Sequence, residues 1–139
     1  MFKATVKHLI PFHDIDIMHI VWHGNYFKYF EQGRTALMQS VGLDWPYLKE
    51  LGIAMPIVDA TAKYRKALTY NESIWISASI KEYIYPALEI YYEIGQEHHA
   101  KPCITGVTRQ VYLDIATRET LLQVPANILS IFEREVGKS

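Results

Sequence analysis

Hydrophobic positions along the chain pass from a helical period to a period of two beyond Gly52, and that change organises its middle. Over 24–41, GNYFKYFEQGRTALMQSV, the residues Tyr26, Phe30, Gly33, Leu37 and Val41 recur at helical spacing, with Phe27 and Met38 beside them. That spacing predicts one long amphipathic helix, with Gly42 as its C-terminal cap. Residues 44–51 predict a short second helix, with Asp44 at the N-cap, Pro46 in the first turn and Gly52 closing it. Beyond Gly52 the period falls to two, and β-rich stretches follow at about 55–66, 73–84, 87–96 and 103–114. Ile74, Ile76, Ala78 and Ile80 share one face of the second stretch, and Leu88, Ile90, Tyr92 and Ile94 one face of the third. Asn71-Glu72, Tyr85-Pro86 and the segment from His98 to Pro102 supply the breaks. Ahead of the long helix, 4–13 alternates weakly and predicts a first strand ending near Phe12; a tail helix is predicted over 126–135, after Pro125.

The element order is strand, long helix, short helix, four strands. One helix cannot cover both faces of a parallel sheet, and short connections between successive strands imply antiparallel pairing. The expected fold is therefore α+β, a five-stranded antiparallel sheet around one central helix. Gly33 in mid-helix costs about 1 kcal/mol relative to Ala, which fits a helix whose backbone touches the sheet. One sheet face and the open edges remain uncovered, so a homodimer or homotetramer is expected.

Length changes the picture little: 139 residues without repeats or a linker predict a single domain over 1–139. Aromatic content is more informative, because ten tyrosines and three tryptophans suit pockets and subunit interfaces. A net charge of −1 gives no basic stripe for nucleic acid. The single cysteine, Cys103, excludes an internal disulfide and a cysteine-based zinc site. No signal-peptide core and no long apolar run is present, so the expectation is a soluble cytoplasmic protein without a membrane span.

The candidate chemistry lies in DIDIMHIVWHGNYFKYFEQGR, from Asp14 to Arg34. Asp16 follows a strand and sits among apolar Ile15, Ile17 and Met18, where partial desolvation sharpens a carboxylate as base or nucleophile. Seven residues on, His23-Gly24-Asn25 begins the long helix, whose first N–H groups lack intrahelical acceptors. Those donors and the helix dipole form a site for a developing oxyanion. A carboxylate facing a helix N-terminus across an apolar cleft is a workable hydrolytic arrangement.

In Asp14, Asp16, Val21, Trp22, Asn25, Tyr26, Phe30, Glu31 and Arg34, and again in Lys63-Tyr64, the chain resembles the 4-hydroxybenzoyl-CoA thioesterase family of hotdog enzymes. The resemblance covers most of the chain. It implies a hotdog fold, hydrolysis of an acyl-CoA or acyl-carrier-protein thioester, and no cofactor, coenzyme A being part of the substrate. It also implies that Asp16 is the catalytic carboxylate, attacking the carbonyl or deprotonating water, with the backbone N–H near His23 as oxyanion donor. Asn25 would pin the loop to the helix start, and Tyr26 and Trp22 would line the cleft. His19 stands where the family has glycine, so it either reshapes the acyl pocket or adds a polar group near the thioester.

Other readings of these residues are plainer. Asp16 also fits a cap on a turn, and Asp14 a loop residue bonding backbone N–H groups. His19 and His23 have the spacing of two zinc ligands, but no third ligand is suggested and no metal is expected. His98 and His99 belong to a solvated turn, and Cys103 to a strand without chemistry. Glu31 and Arg34 form an ion pair fixing the helix, or Glu31 orients water near the substrate. Lys63, Arg65 and Lys66 either meet the phosphates of a CoA nucleotide or form an ordinary solvated edge. The competing functions are a hotdog dehydratase or hydratase, whose His before a Pro-Gly-x-Pro turn is missing here, and a non-catalytic acyl-binding hotdog protein.

Overall fold

The computed structural model, which describes residues 2–80, 83 and 87–138, has one five-stranded antiparallel sheet. Its strands are β1 (Phe2–Leu9), β3 (Ile57–Tyr64), β4 (Ser73–Ile80), β5 (Ala87–Gln96) and β6 (Ile104–Val111), in the spatial order β1-β4-β5-β6-β3. Two short strands, β2 (Ile53–Ala54) and β7 (Leu113–Asp114), pair apart from it. The helices are α1 (Asn25–Ser40), α2 (Trp45–Leu51) and α3 (Ala126–Lys138).

Period-two alternation produces the buried face of the sheet. Ile74, Ile76, Ala78 and Ile80 of β4 and Leu88, Ile90, Tyr92 and Ile94 of β5 are all buried. Helix α1 lies on this face, against β1, β4 and β5, and buries Tyr26, Tyr29, Phe30, Gly33, Leu37 and Met38. A Cβ on Gly33 would stand 3.1 Å from Ile76 Cγ2 and 3.3 Å from Ala78 Cβ, so the helix backbone does sit directly on the sheet. Three residues earlier on α1, Phe30 stacks on Tyr92 at 4.5 Å between ring centroids and covers Gly106 of β6.

Gly42 and Gly52 follow α1 and α2 with φ of 79° and 73°, the left-handed conformation that ends a helix. Asp44 occupies the N-cap of α2, yet its side chain makes no cap bond. The first strand ends at Leu9 rather than near Phe12, because Pro11 has no N–H to give and Phe12–Asp14 winds into a 3-10 turn. Of the stretch expected over 55–66, β3 takes Ile57–Tyr64, and the stretch expected over 103–114 is divided at Tyr112 into β6 and β7; the Pro56 carbonyl takes the Val111 N–H where the long pairing stops and the β2–β7 pair begins. Helix α3 runs past the expected end at 135. The turn expected at Tyr85-Pro86 and the last positions of the 73–84 stretch fall outside the described residues.

Among the described residues no helix is long and apolar enough to cross a membrane. The two sheet edges differ. β1 lies under α1 and carries Lys3 and Lys7, whereas every residue of β3 except the half-buried Ala62 is exposed.

Candidate active site

Between β1 and α1 the chain folds back on itself. Ile15 and Val21 form a bridge, and inside it the Asp16 N–H donates to the Ile20 carbonyl at 2.8 Å and the His19 N–H to the Asp16 carbonyl at 3.0 Å. The tip carries exposed Ile17 and Met18. Two bonds anchor this small loop to the segment after β3: Val21 N–H to Leu68 O at 2.8 Å and Thr69 Oγ1 to His19 O at 2.9 Å. His19 has φ 65°, the left-handed conformation glycine adopts freely. The loop therefore keeps a glycine-type backbone with a histidine in it, and the His19 side chain is exposed at the rim.

Asp16 is partly exposed, and its Oδ1 accepts the Met18 N–H at 2.8 Å in a local turn. That leaves Oδ2 without a donor among the described residues. Asp14 is different: it is buried, and its carboxylate is bonded by side chains rather than by the backbone N–H groups expected. Lys28 Nζ reaches Oδ1 at 2.6 Å and the Tyr29 hydroxyl reaches Oδ2 at 2.7 Å. Burial pushes the Asp14 carboxyl up, but the hydrogen bonds from Lys28 and Tyr29 outweigh it and hold it below the usual carboxylate range. Burial and the bond to Asp14 push the Tyr29 phenol far up. Burial lowers His8, whose ring lies 4.7 Å from that of Tyr29, although the Asp14 charge opposes the shift.

At the start of α1 the leading N–H groups divide in two. Those of Asn25, Tyr26 and Phe27 donate to the carbonyls of Trp22, His23 and Gly24. Those of His23 and Gly24 have no acceptor among the described residues, so they are the free donors at the positive end of the helix. Gly24 has ordinary helical torsions, and the exposed Trp22 indole lies over it, so a side chain at this position would displace that ring. Asn25 Nδ2 donates to the Asp14 carbonyl at 3.0 Å, and the Trp22 N–H donates to the same oxygen at 3.0 Å.

The remaining candidates do not all converge. Tyr26 is buried and its hydroxyl accepts the Leu68 N–H at 3.2 Å, which places it in the core rather than on the cleft surface. Its ring backs that of Tyr64 at 5.4 Å, and the exposed Tyr64 hydroxyl points at the His23 carbonyl at 3.5 Å. Glu31 lies on the exposed side of α1, paired with Arg34 at 3.1 Å; Arg34 also donates to the Met55 carbonyl, so the pair fixes α1 against the segment before β3. Lys63 and Arg65 line a groove of about 970 Å³ together with Lys3, Tyr91 and Glu93. That groove lies on the sheet face away from α1, while Lys66 turns aside to Gln96 Oε1 at 3.1 Å. No group of three or more His, Cys, Asp or Glu able to hold a metal occurs among the described residues. Sequence reasoning missed Lys28 and Tyr29. Tyr29 completes the spacing 26, 29, 30, 33, 37, which was the available signal.

A family profile described as the thioesterase-like superfamily matches residues 10–132. A protein of Synechocystis sp. assigned by name as an esterase is 28% identical over 81% of this chain and 68% of its own length. A Bacillus subtilis protein assigned as an acyl-CoA thioesterase is 34% identical over 53% of this chain, which spans only about half of that relative, 54%. Among solved structures, the 4-hydroxybenzoyl-CoA thioesterase of Pseudomonas sp. strain CBS-3 superposes with a TM-score of 0.81 at 21% identity, over 94% of this chain and 99% of that one. At that identity the likeness establishes the hotdog fold.

Proposed function

The chain belongs to the thioesterase-like superfamily, and from that premise we propose that it hydrolyses an acyl-CoA or acyl-carrier-protein thioester to a carboxylic acid and a thiol, with Asp16 as the working carboxylate. One observation carries this reading. The loop bearing Asp16 is tied, through the Asp14 carbonyl, to a helix start whose His23 and Gly24 N–H groups have no acceptor among the described residues. A thioester oxygen set on those amides is polarised as negative charge develops on it. Asp16 Oδ2 then either adds to the carbonyl carbon, expelling thiolate and leaving a mixed anhydride that water cleaves, or removes a proton from water as that water adds. Both routes consume one water and release acid and thiol, and neither needs a cofactor.

Trp22 and Tyr64 supply an aromatic rim that favours an aromatic or medium-length acyl group. His19 adds a polar edge to that rim, and Asn25 acts by holding the loop. Lys63 and Arg65 stand on the opposite face of β3 from Tyr64, where the phosphates of a CoA nucleotide draped over this edge would meet them. The reading includes a homodimer built across the exposed β3 edge, and a dimer of dimers is its extension. A buried free thiol at Cys103 suits a reducing cytoplasm.

The test is thiol release from a panel of acyl-CoAs and acyl-carrier-protein thioesters by the wild-type chain, Asp16→Ala and Asp16→Asn. Hydrolysis by wild type and a loss of about a hundredfold or more in both variants is expected. No thiol from any substrate would end the thioesterase reading, equal rates would remove Asp16 from it, and hydration of a crotonyl thioester would indicate a dehydratase instead.

A further inference from the structure

We propose that Asp14, held by Lys28 and Tyr29, is a positioning residue that sets the Asp16 loop against the His23 and Gly24 amides; this rests on the thioesterase reading. Every polar group of Asp14 is engaged. Its N–H donates to the Pro11 carbonyl at 3.2 Å, and its carbonyl accepts the Trp22 N–H and Asn25 Nδ2, the residues on either side of His23-Gly24. Its carboxylate takes Lys28 Nζ and the Tyr29 hydroxyl from α1 itself. Asp14 thus joins the loop to the helix by side chain and by main chain at once. Ile15, the one residue between it and Asp16, is locked to Val21. A displacement of Asp14 therefore moves the carboxylate of Asp16 relative to the free amides.

The chemistry of the clamp is unlike a packing contact. A buried carboxylate is costly unless paired and hydrogen-bonded, so the loop settles only where both donors reach it. Lys28 supplies the cation from a side chain still half-exposed, with His13 Nε2 at 3.6 Å as a second positive group when protonated. Behind Tyr29, His8 and Gln32 close the pocket, with His8 Nδ1 and Gln32 Nε2 3.4 Å apart. Both oxygens of Asp14 point into α1, so it has no part in the reaction except through Asp16 and the amides.

The experiment compares Asp14→Asn, Tyr29→Phe, Lys28→Met and Lys28→Arg in steady-state hydrolysis, with thermal midpoints measured alongside. Because an ångström of misplacement costs on the order of a hundredfold, Asp14→Asn should lower kcat by about tenfold to a hundredfold with KM within about threefold. Tyr29→Phe and Lys28→Met should lower kcat less, in the same direction, and Lys28→Arg should retain activity. A folded Asp14→Asn chain with wild-type kcat overturns the proposal. Should that chain not fold, unchanged kcat in both Tyr29→Phe and Lys28→Met overturns it. If the wild type hydrolyses no thioester at all, it is the thioesterase reading that fails. The clamp is then decided by amide hydrogen exchange over 15–25, which Tyr29→Phe should accelerate and which, if unchanged, overturns the proposal.

Discussion

Two acids two residues apart have opposite fates because their surroundings differ. Asp16 stays near the surface with one oxygen lacking a donor among the described residues, while Asp14 is taken inside and paired with donors from α1. The folded pKa of Asp14 lies below its ordinary value of 3.8, so its stabilising effect is present above that value and is lost as pH falls through it towards the folded one. His8, lowered by burial from 6.5, acts with the same sign: the fold holds it neutral, and acid weakens the fold as that ring must charge. Equilibrium unfolding from about pH 7 to about pH 3 should show stability declining with acid, and Asp14→Asn should flatten the lower part of the curve. A variant that keeps the wild-type slope there contradicts this assignment. At this scale the motif residues were legible because Asp16, Gly24 and Asn25 stand in an ordered string. Lys28 and Tyr29 were not, since their role exists only once the loop folds back onto the helix. His19 was legible as a departure from the family's glycine, but only the structure shows that φ remains at 65°.

The elements owe their places to side-chain volume as much as to period. Phe30 stacks on Tyr92 and occupies the space above Gly106, where an added Cβ would also come within 2.8 Å of the Thr61 carbonyl. Gly106→Ala should therefore cost about 1–3 kcal/mol, measured by urea unfolding, because neither the stacked ring nor the strand can give way freely. A stability within about 0.5 kcal/mol of wild type would show that the ring relocates. The inner faces of β4 and β5 could be read residue by residue, since their alternation is unbroken. Strand ends could not, because Pro11 and Pro56 act through the hydrogen bonds they fail to make with particular neighbours. For Tyr26 the helical period alone places it inward, where it is buried; its place on the cleft surface came only from the family resemblance.

For the molecule as a whole, the unfinished part is the β3 edge. Val58 and Tyr64 are 56% and 47% exposed there, and at the loop tip Ile17 is 94% exposed, more apolar surface than a lone chain of this size ordinarily leaves at a sheet edge. Light scattering should give twice the chain mass of 16.1 kDa or a multiple of it, and Val58→Asp should shift the distribution towards monomer. A wild-type chain that is monomeric at assay concentrations would contradict the β3 pairing. Open edges were visible in the element order; that β3 forms one of them depends on the strand order β1-β4-β5-β6-β3, a tertiary fact.

The proposed hydrolysis depends on the charge of Asp16. Asp16→Asn retains an oxygen to accept the Met18 N–H, so the loop turn survives while the carboxylate does not. The direct measurement is kcat and KM for thiol release by this variant and the wild type on the best thioester of the panel. A fall in kcat of about a hundredfold or more with KM little changed is the predicted result. Turnover equal to wild type would contradict it.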